Sequence, residues 1–284
     1  MVDKPIVTRF APSPSGYLHL GHAYSALFAA AAVGPGQGRF LLRIEDIDQG
    51  RCKPAFEDAI YEDLAWLGLD WERPVRRQSD HFEDYRQALT RLDGKDLLYP
   101  CFCTRTDIAA EIERAGMAPH DVAGPDGPLY PGTCRHMPDD ERDFRLAQGD
   151  PFALRLKMEK ACESAGSLTW QEVGGGGHIA TPQIFGDVVL ARKDSPSSYH
   201  LSVTVDDHLQ GVTLVTRGED LRPATHIHRL LQALLAYNVP EYTFHRMLTG
   251  EDGRRYAKRE RSLTLRSLRG HGETPADVRL RIGV

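Results

Sequence analysis

The sequence has few cysteines, no excess of positive charge and no long apolar run, and each absence excludes a class of protein. Five cysteines in 284 residues are too few for the disulfide framework of a small secreted protein. No run of about 18 apolar residues is present, so no membrane-spanning helix is predicted. Residues 1–10 lack the apolar core and the small-residue cleavage site of a secretory signal. We therefore expect a cytoplasmic protein whose cysteines stay reduced and which makes no membrane contact.

The net charge of -5 argues against a generally basic nucleic-acid-binding protein, although it permits a local basic surface. Residues 250–284 have such a local excess, with nine lysines or arginines against five acidic residues. On charge pattern alone, a solvated helix face explains this excess as well as a binding surface does. This segment is nevertheless the candidate surface for a nucleic acid.

The first hundred residues alternate between strand and helix patterns. Residues 6–10 and 39–44 predict buried strands, and residues 19–33 and 54–67 predict helices. This order is typical of an α/β fold with a parallel sheet. Similar patterns predict strands at 152–158, 185–192 and 212–216 and helices at 80–92 and 222–237.

The regular pattern breaks up in the middle of the chain, where cysteines, prolines and glycines are concentrated. We interpret residues 174–177, four consecutive glycines, as a flexible surface loop, because no strand-to-helix junction brackets them. The predicted organisation is a first half of the α/β sheet in 1–95, an inserted segment in 96–180, a second half in 181–240 and a short basic region in 241–284.

The strongest chemical signal lies where the first predicted strand leads into the first predicted helix. A loop rich in proline and serine ends at His19, Gly21 and His22. Free backbone N–H groups and a partial positive charge make a helix N-terminus suitable for phosphate. His19 and His22 are three residues apart and therefore share a helix face, and Gly21 permits the close approach of a flat ring. The histidine pair alone also fits a structural or metal-binding role, but the strand and loop context favours phosphate.

This segment resembles the H-I-G-H signature of class I aminoacyl-tRNA synthetases, and its flanks resemble the glutamyl branch of that family. The resemblance extends from about residue 5 to residue 258, with the motifs in family order. It implies an α/β fold with a Rossmann-type parallel sheet, a zinc-bearing insertion and a short helical C-terminal region. In that family the residues matching His19, Gly21 and His22 belong to the ATP site, and the two histidines stabilise the reacting phosphorus by position and charge.

The resemblance also implies a glutamate site. Glu45 matches the residue that binds the α-amino group, and a carboxylate suits an ammonium. Tyr199 and Arg217 match two further positions, and an arginine fork suits a side-chain carboxylate. The remaining matching positions lie at the end of the first predicted strand and in the loop after it, and are Arg9, Phe10, Ala11, Pro12 and Ser13.

Two groups of acidic residues are open to a simpler interpretation. From the residues alone, the three carboxylates in 45–48 predict a solvated turn with a helix cap as readily as a cation site. Asp206 and Asp207 are interpreted as turn residues ahead of a strand, without a chemical role.

The next pattern consists of Cys101, Cys103, Tyr130 and Cys134. Three cysteines are one ligand short of a structural zinc site, and spacing alone predicts buried free thiols equally well. The glutamyl-queuosine subfamily carries this pattern with the tyrosine hydroxyl as fourth ligand, which implies one structural zinc ion here. His136 is the alternative fourth ligand, and Cys52 and Cys162 are interpreted as ordinary thiols.

The last motif, Arg255-Tyr-Ala-Lys258-Arg259, occupies the place of the family's K-M-S-K-S loop. The second lysine of that loop contacts ATP phosphates, and Lys258 matches it. Arg255 replaces the first lysine and Ala257 the serine, so the affinity and closing behaviour of the loop do not follow from the family.

Together the motifs imply an enzyme that activates L-glutamate with ATP and Mg²⁺ without requiring tRNA. It would then transfer glutamate to queuosine at the wobble position of the tRNA(Asp) anticodon loop. Only 26 residues follow Lys258, so we expect helical anticodon-binding domains to be absent, and we expect a monomer. Two alternatives stay open: a catalytically silent paralogue that binds glutamate, and a truncated glutamyl-tRNA synthetase that charges a tRNA 3′ end.

Overall fold

The structure is a computed structural model that describes residues 5–34, 38–114, 123–248 and 264–284. Within these residues the strands are β1 Val7–Phe10, β2 Arg39–Ile44, β3 Glu72–Arg77, β4 Leu98–Cys101, β5 Ala123–Gly124, β6 Gly127–Pro128, β7 Ala153–Leu156, β8 Thr169–Glu172, β9 Gly176–Ile179, β10 Val189–Ala191, β11 Leu214–Gly218 and β12 Glu241–His245. The α-helices are α1 Leu20–Ala31, α2 Pro54–Trp66, α3 Phe82–Asp93, α4 Arg105–Arg114, α5 Asp139–Ala147, α6 Met158–Ala165, α7 Tyr199–Leu209, α8 Ala224–Leu235, α9 Leu265–Gly270 and α10 Pro275–Ile282.

A largely parallel sheet forms the centre of the fold. β2 pairs in parallel with both β1 and β3, and β11 pairs in parallel with β12. The two halves meet where the Thr213 amide donates to the Val7 carbonyl at 2.9 Å, which places β1 beside β11. β8 extends the sheet in parallel beyond β12, and β9 folds back on β8. The predicted α/β fold with a parallel sheet is confirmed.

A second, antiparallel sheet consists of β4, β7 and β10 in the order β10-β7-β4. The hairpin of β5 and β6 precedes β7 in the same stretch of chain. Both sheets cross the predicted boundary at residue 180. β8 and β9 precede it but belong to the main sheet, and β10 follows it but belongs to the second sheet. The division into domains therefore stays a proposal.

The four glycines at 174–177 lie in the hairpin of β8 and β9. Gly174 and Gly175 form its turn, whereas Gly176 and Gly177 are the first residues of β9, so the loop prediction is wrong for these two. Gly174 has a φ of +75° and Gly176 a φ of +83°, a left-handed conformation that favours glycine and reverses the chain tightly.

Two large apolar clusters pack around the sheets. One contains side chains of β1, β2, α1 and α2 together with Leu265, Leu268, Val278 and Ile282 from α9 and α10. The other joins α3, α6, α7 and α8 to β4 and β10. The short helical C-terminal region is thus part of the core in the described chain. No helix in the described ranges is long and apolar enough to cross a membrane.

Candidate active site

A cavity of about 230 Å³ opens where β1, β2 and β11 end. Because these strands are parallel, their carboxyl ends lie at one edge of the sheet, the usual position of a ligand site in such folds. The eight residues predicted to bind glutamate all line this cavity: Arg9, Phe10, Ala11, Pro12, Ser13, Glu45, Tyr199 and Arg217. His22 also lines it. The structure therefore brings together residues that are up to two hundred positions apart in the chain.

The first turn of α1 holds the two predicted phosphate-binding histidines. The Gly21 amide donates to His19 Nδ1 at 3.1 Å, and the His19 amide donates to His22 Nδ1 at 3.2 Å, which forms a capping box. A neutral imidazole that accepts at Nδ1 carries its proton on Nε2. The ring centroids are 3.8 Å apart, so the two rings lie in contact with each other.

Gly21 has a local steric role. A Cβ at this position would lie 3.0 Å from Cε1 and 3.1 Å from Nδ1 of His19. Any larger residue would push the His19 ring away from the helix N-terminus. The flat ring that approaches Gly21 in the structure is therefore that of His19.

A buried ion pair fixes Arg9 in the cavity wall. Its Nε and Nη2 donate to the Asp207 carboxylate at 2.9 and 3.3 Å, and its Nη1 donates to the Thr216 carbonyl at 3.1 Å. Arg43, which is fully buried, donates to Asp207 at 2.8 Å. Burial alone would raise the pKa of Asp207, but the charges of Arg9 and Arg43 outweigh it and hold the pKa at about 2.

Asp206 and Asp207 lie inside α7 and are buried, so their interpretation as turn residues is wrong. Asp206 accepts hydrogen bonds from Arg76 Nε at 2.7 Å, Gln78 Nε2 at 2.8 Å and the Tyr85 hydroxyl at 3.0 Å. The helix spacing of Tyr199, Val203, Asp206 and Asp207 was the signal that could have identified them, because these four share one face of α7. The two acids anchor the arginines that surround the cavity.

The predicted acidic cluster after β2 does not converge. Asp46 accepts from the amide and hydroxyl of Ser79 at 2.8 and 2.6 Å. Asp48 pairs with Arg51 at 2.7 Å. Glu45 alone lines the cavity, where Arg43 Nη2 donates to it at 3.3 Å. Burial raises the pKa of Glu45 more than Arg43 and Arg9 lower it. A ligand ammonium would relieve this cost of burial.

Arg217 enters the cavity from β11 with only 6% of its surface exposed. Its Nη1 donates to His228 Nδ1 at 3.1 Å, whereas its Nε and Nη2 are buried and have no hydrogen-bond partner in the described structure. Among the described residues, no carboxylate forms a salt bridge with it. A buried guanidinium without an acidic partner is costly unless an anion binds there. Burial raises the pKa of the nearby Tyr199 hydroxyl, which therefore stays protonated and can donate to the same anion.

The three predicted zinc-binding thiols form a cluster. The sulfur atoms of Cys101, Cys103 and Cys134 all lie within 4.8 Å of one another, and no histidine or acid joins them in the described residues. Cys103 Sγ is 3.4 Å from Cys134 Sγ and 3.5 Å from the Tyr130 hydroxyl. Tetrahedral zinc with bonds of about 2.3 Å separates its ligands by roughly 3.8 Å, so the donor set fits. The Tyr130 hydroxyl lies beside this cluster, whereas His136 is exposed, so Tyr130 is the better candidate for a fourth ligand.

Residues 5–280 match the family described as "tRNA synthetases class I (E and Q), catalytic domain". This chain belongs to that family. The predicted family is confirmed, and the chain is a ligase of the class I aminoacyl-tRNA synthetases, whose catalytic domains use the α/β fold described above.

Individual relatives refine this membership. A glutamyl-Q tRNA(Asp) synthetase from Rhodobacter capsulatus is 48% identical to this chain, and the match covers 98% of this chain and 100% of that protein. A protein of the same name from Symbiobacterium thermophilum is 41% identical over 95% of this chain and 83% of its own. The crystal structure of a glutamate–tRNA synthetase from Elizabethkingia anophelis superposes with a TM-score of 0.76 at 26% identity. That superposition covers 95% of this chain and 54% of the synthetase, so this chain spans about half of its length.

The synthetase motif containing Lys258, together with Arg255 and Ala257, lies outside the described residues. The chain flanking it is described. Thr264 forms a β-bridge with His19, and the Leu265 amide donates to the Leu18 carbonyl at 2.8 Å. The chain that follows the motif is therefore attached next to the histidine pair.

The basic C-terminal region is only partly available as a tRNA surface. Arg269 pairs with Glu62 at 3.0 Å and Arg281 with Glu273 at 2.7 Å. Arg279 donates to the Leu67 carbonyl at 3.1 Å. The remaining cations of the segment except Arg266 lie outside the described residues. The docking surface for tRNA stays a prediction.

Proposed function

We propose that this synthetase activates L-glutamate with ATP and transfers it to queuosine at the wobble position of tRNA(Asp). The observation that carries the proposal is the cavity that Glu45 and Arg217 both line. Arg217 is a buried cation with no acidic partner among the described residues, and His22 lines the same cavity. The close relatives named glutamyl-Q tRNA(Asp) synthetase support the choice of acceptor.

The charges of the cavity are complementary to glutamate. Arg217 would bind the side-chain carboxylate through its Nε and Nη2, with the Tyr199 hydroxyl donating to the same group. Glu45 would accept from the α-ammonium. These contacts leave the α-carboxylate directed towards the first turn of α1, where His22 lines the cavity.

Adenylate formation would take place at that turn. An oxygen of the α-carboxylate forms a bond to the α-phosphorus of ATP, the bond to the β-phosphate oxygen breaks, and diphosphate leaves with Mg²⁺. His19 and His22 would donate from Nε2 to phosphate oxygens as negative charge develops, and Lys258 would supply a further cation. We propose that this step proceeds without tRNA.

Transfer would follow by acyl chemistry. A hydroxyl of queuosine attacks the activated carbonyl, the ester bond forms, AMP leaves, and the hydroxyl proton passes to solvent.

A zinc ion held by Cys101, Cys103, Cys134 and Tyr130 would cross-link the inserted segment. A closed set of four protein ligands leaves zinc no open position for a substrate, so its role would be structural.

Glutamate-dependent exchange of labelled diphosphate into ATP tests the activation step. The assay is run with glutamate, glutamine or aspartate, each with and without tRNA(Asp). We expect exchange with glutamate alone, unchanged by tRNA. Exchange that needs tRNA would contradict tRNA-independent activation, and silence with all three amino acids would favour a paralogue that has lost catalysis.

A further inference from the structure

The candidate glutamate-binding arginine is held from behind by a histidine that no sequence pattern identified. His228, on α8, is 1% exposed, and its Nδ1 lies 3.1 Å from Arg217 Nη1. The guanidinium Cζ also lies 5.2 Å from the centre of the Tyr242 ring. These contacts occupy one nitrogen and one face of Arg217, and they leave its Nε and Nη2 for a ligand.

The hydrogen bonds continue beyond His228 to the inserted segment. His228 Nε2 lies 3.3 Å from Nδ1 of His200, and His200 Nε2 lies 2.9 Å from Asp126 Oδ2. His200 is on α7, whereas Asp126 is in the turn between β5 and β6 and is mostly exposed. One chain of contacts therefore links the buried cavity to a surface hairpin.

Chemistry fixes the direction of every proton in this chain. A guanidinium can only donate, so His228 Nδ1 must accept and its proton must sit on Nε2. His200 then accepts at Nδ1 and donates from Nε2 to Asp126, a carboxylate that can only accept. Burial, with the charge of Arg217, lowers the pKa of His228 well below its usual value, which agrees with a neutral ring.

We propose that His228 is a positioning residue that sets the glutamate specificity of the cavity, with His200 and Asp126 fixing its tautomer. The proposal deepens the function proposed above and rests on it. An anchored Nη1 presents the Nε–Nη2 edge of Arg217 as a fixed fork for two carboxylate oxygens. The side-chain amide of glutamine offers one oxygen and an NH₂ group that faces a donor, so a fixed fork disfavours it.

Glutamate binding without ATP, measured by titration calorimetry on the full chain, tests this role. His228→Leu removes the acceptor, and we expect glutamate to bind about tenfold more weakly, as for the loss of a hydrogen bond to a charged group. His228→Asn keeps an oxygen close to the position of Nδ1, and we expect it to restore most of the affinity. In the exchange assay, His228→Leu should raise KM for glutamate about tenfold and leave KM for ATP and kcat within about twofold.

A positioning residue acts only through the group that it positions. We therefore expect His228→Leu to have no further effect on glutamate affinity when Arg217 is already alanine. Asp126→Ala, at an exposed position, should weaken glutamate binding by about threefold, since the tautomer is then less strongly fixed. If His228→Leu does not fold, His228→Gln replaces it. The glutamine amide would occupy the place of the histidine Nε2 and leave the place of Nδ1 without an acceptor.

The outcomes separate this inference from the proposed function. Folded His228→Leu or His228→Gln protein with wild-type glutamate affinity would overturn the inference, as would additive losses in the double variant. If the wild type and the variants bind glutamate with the predicted order of affinities, but the wild type transfers no glutamate to tRNA, the proposed function alone is refuted. Wild-type protein that binds no glutamate would overturn both.

Discussion

At the scale of single residues, the cavity combines charges that are neutralised within the protein with charges that are left for a ligand. Arg9 pairs with Asp207, and Arg43 pairs with both Asp206 and Asp207, so these cations have acidic partners before any ligand enters. Arg217 has no acidic partner among the described residues, and Glu45 has only a 3.3 Å contact with Arg43. A ligand with an ammonium and a separate carboxylate completes this arrangement.

Replacing Asp207 with asparagine should destabilise the fold and loosen Arg9. Removing one partner of a buried ion pair leaves uncompensated charge, so we expect unfolding free energy to fall by about 3 kcal/mol. Urea denaturation measures this. Glu72→Gln is the matched control, since its pair with Arg39 is exposed and should change stability by less than about 0.5 kcal/mol. Equal effects of the two substitutions would contradict the assigned role of Asp207.

Glutamate use should depend on the ionisation of Glu45. Its pKa is raised, so the carboxylate becomes protonated at a higher pH than the ordinary value of about 4.3. The neutral form cannot pair with an ammonium, so kcat/KM for glutamate should fall as the pH drops through this raised pKa. The Glu45→Gln variant should have a low kcat/KM for glutamate that no longer falls with decreasing pH in this range. This fall is the acid limb of the pH profile. An acid limb that persists in Glu45→Gln would assign it to another group.

Residues close in sequence to a motif could be predicted, whereas those joined only by tertiary contacts could not. Phe10 ends the first strand and Ala11 to Ser13 follow it directly, so the sequence places them at the sheet edge. His228 has no local signal, because its role depends on a tertiary contact with Arg217 of β11. Arg43 lies only two residues before Glu45, but its full burial is visible only in the fold.

At the scale of elements, α7 does more than its sequence indicated. Its first residue, Tyr199, lines the cavity, its next residue, His200, contacts the inserted hairpin, and its last turns hold Asp206 and Asp207. Polar and apolar residues alternate on a helix that is buried on nearly all sides, so the usual amphipathic pattern is missing. The helix was not predicted for this reason.

The inserted segment should depend on its cysteine cluster. Cys103→Ser removes one of three clustered thiols, so we expect lower zinc content and a lower melting temperature, since structural zinc binding is coupled to folding. Metal analysis and thermal melting measure this. Cys162→Ser, a thiol outside the cluster, is the control and should keep its zinc. One zinc per chain with unchanged melting in Cys103→Ser would remove Cys103 from the ligand set.

The contact between α2 and α9 contains a carboxyl group with a pH-dependent cost. Asp63 is buried and has no hydrogen-bond partner in the described parts of the chain. Burial raises its pKa to about 6, although Arg269 lies 3.6 Å away. The folded pKa exceeds the unfolded value of about 3.9, so ionisation costs stability as the pH rises towards and above 6. Relative to wild type, the Asp63→Asn substitution should therefore raise the free energy of unfolding by about 1 kcal/mol more at pH 8 than at pH 5.

Urea denaturation at both pH values measures this effect. Asp58→Asn, an exposed change on the same helix, is the control and should show no such difference. A gain for Asp63→Asn that is larger at pH 5 than at pH 8 would reverse the assigned sign.

At the scale of the whole molecule, the order of strands and helices predicted the parallel sheet, but not the second sheet. β1 and β2 are apolar runs with clear turn signals. β4, β7 and β10 are short, and they pair across long stretches of chain, so their partners have no signature in sequence. In the hairpin of β5 and β6, Asp126 Oδ2 lies 2.9 Å from His200 Nε2 of α7, another contact between distant parts of the chain.

The most direct test of the central claim is transfer of labelled glutamate, with ATP, to tRNA(Asp) whose 3′ terminal adenosine lacks both ribose hydroxyls. One sample contains queuosine at the wobble position and the matched sample contains guanosine. We predict label on the queuosine sample only, and loss of that label when Arg217 is replaced by alanine. Two further samples with an intact 3′ end carry the same two wobble bases. Label that appears only on these intact samples, whatever the wobble base, would contradict the account and identify a glutamate–tRNA ligase instead.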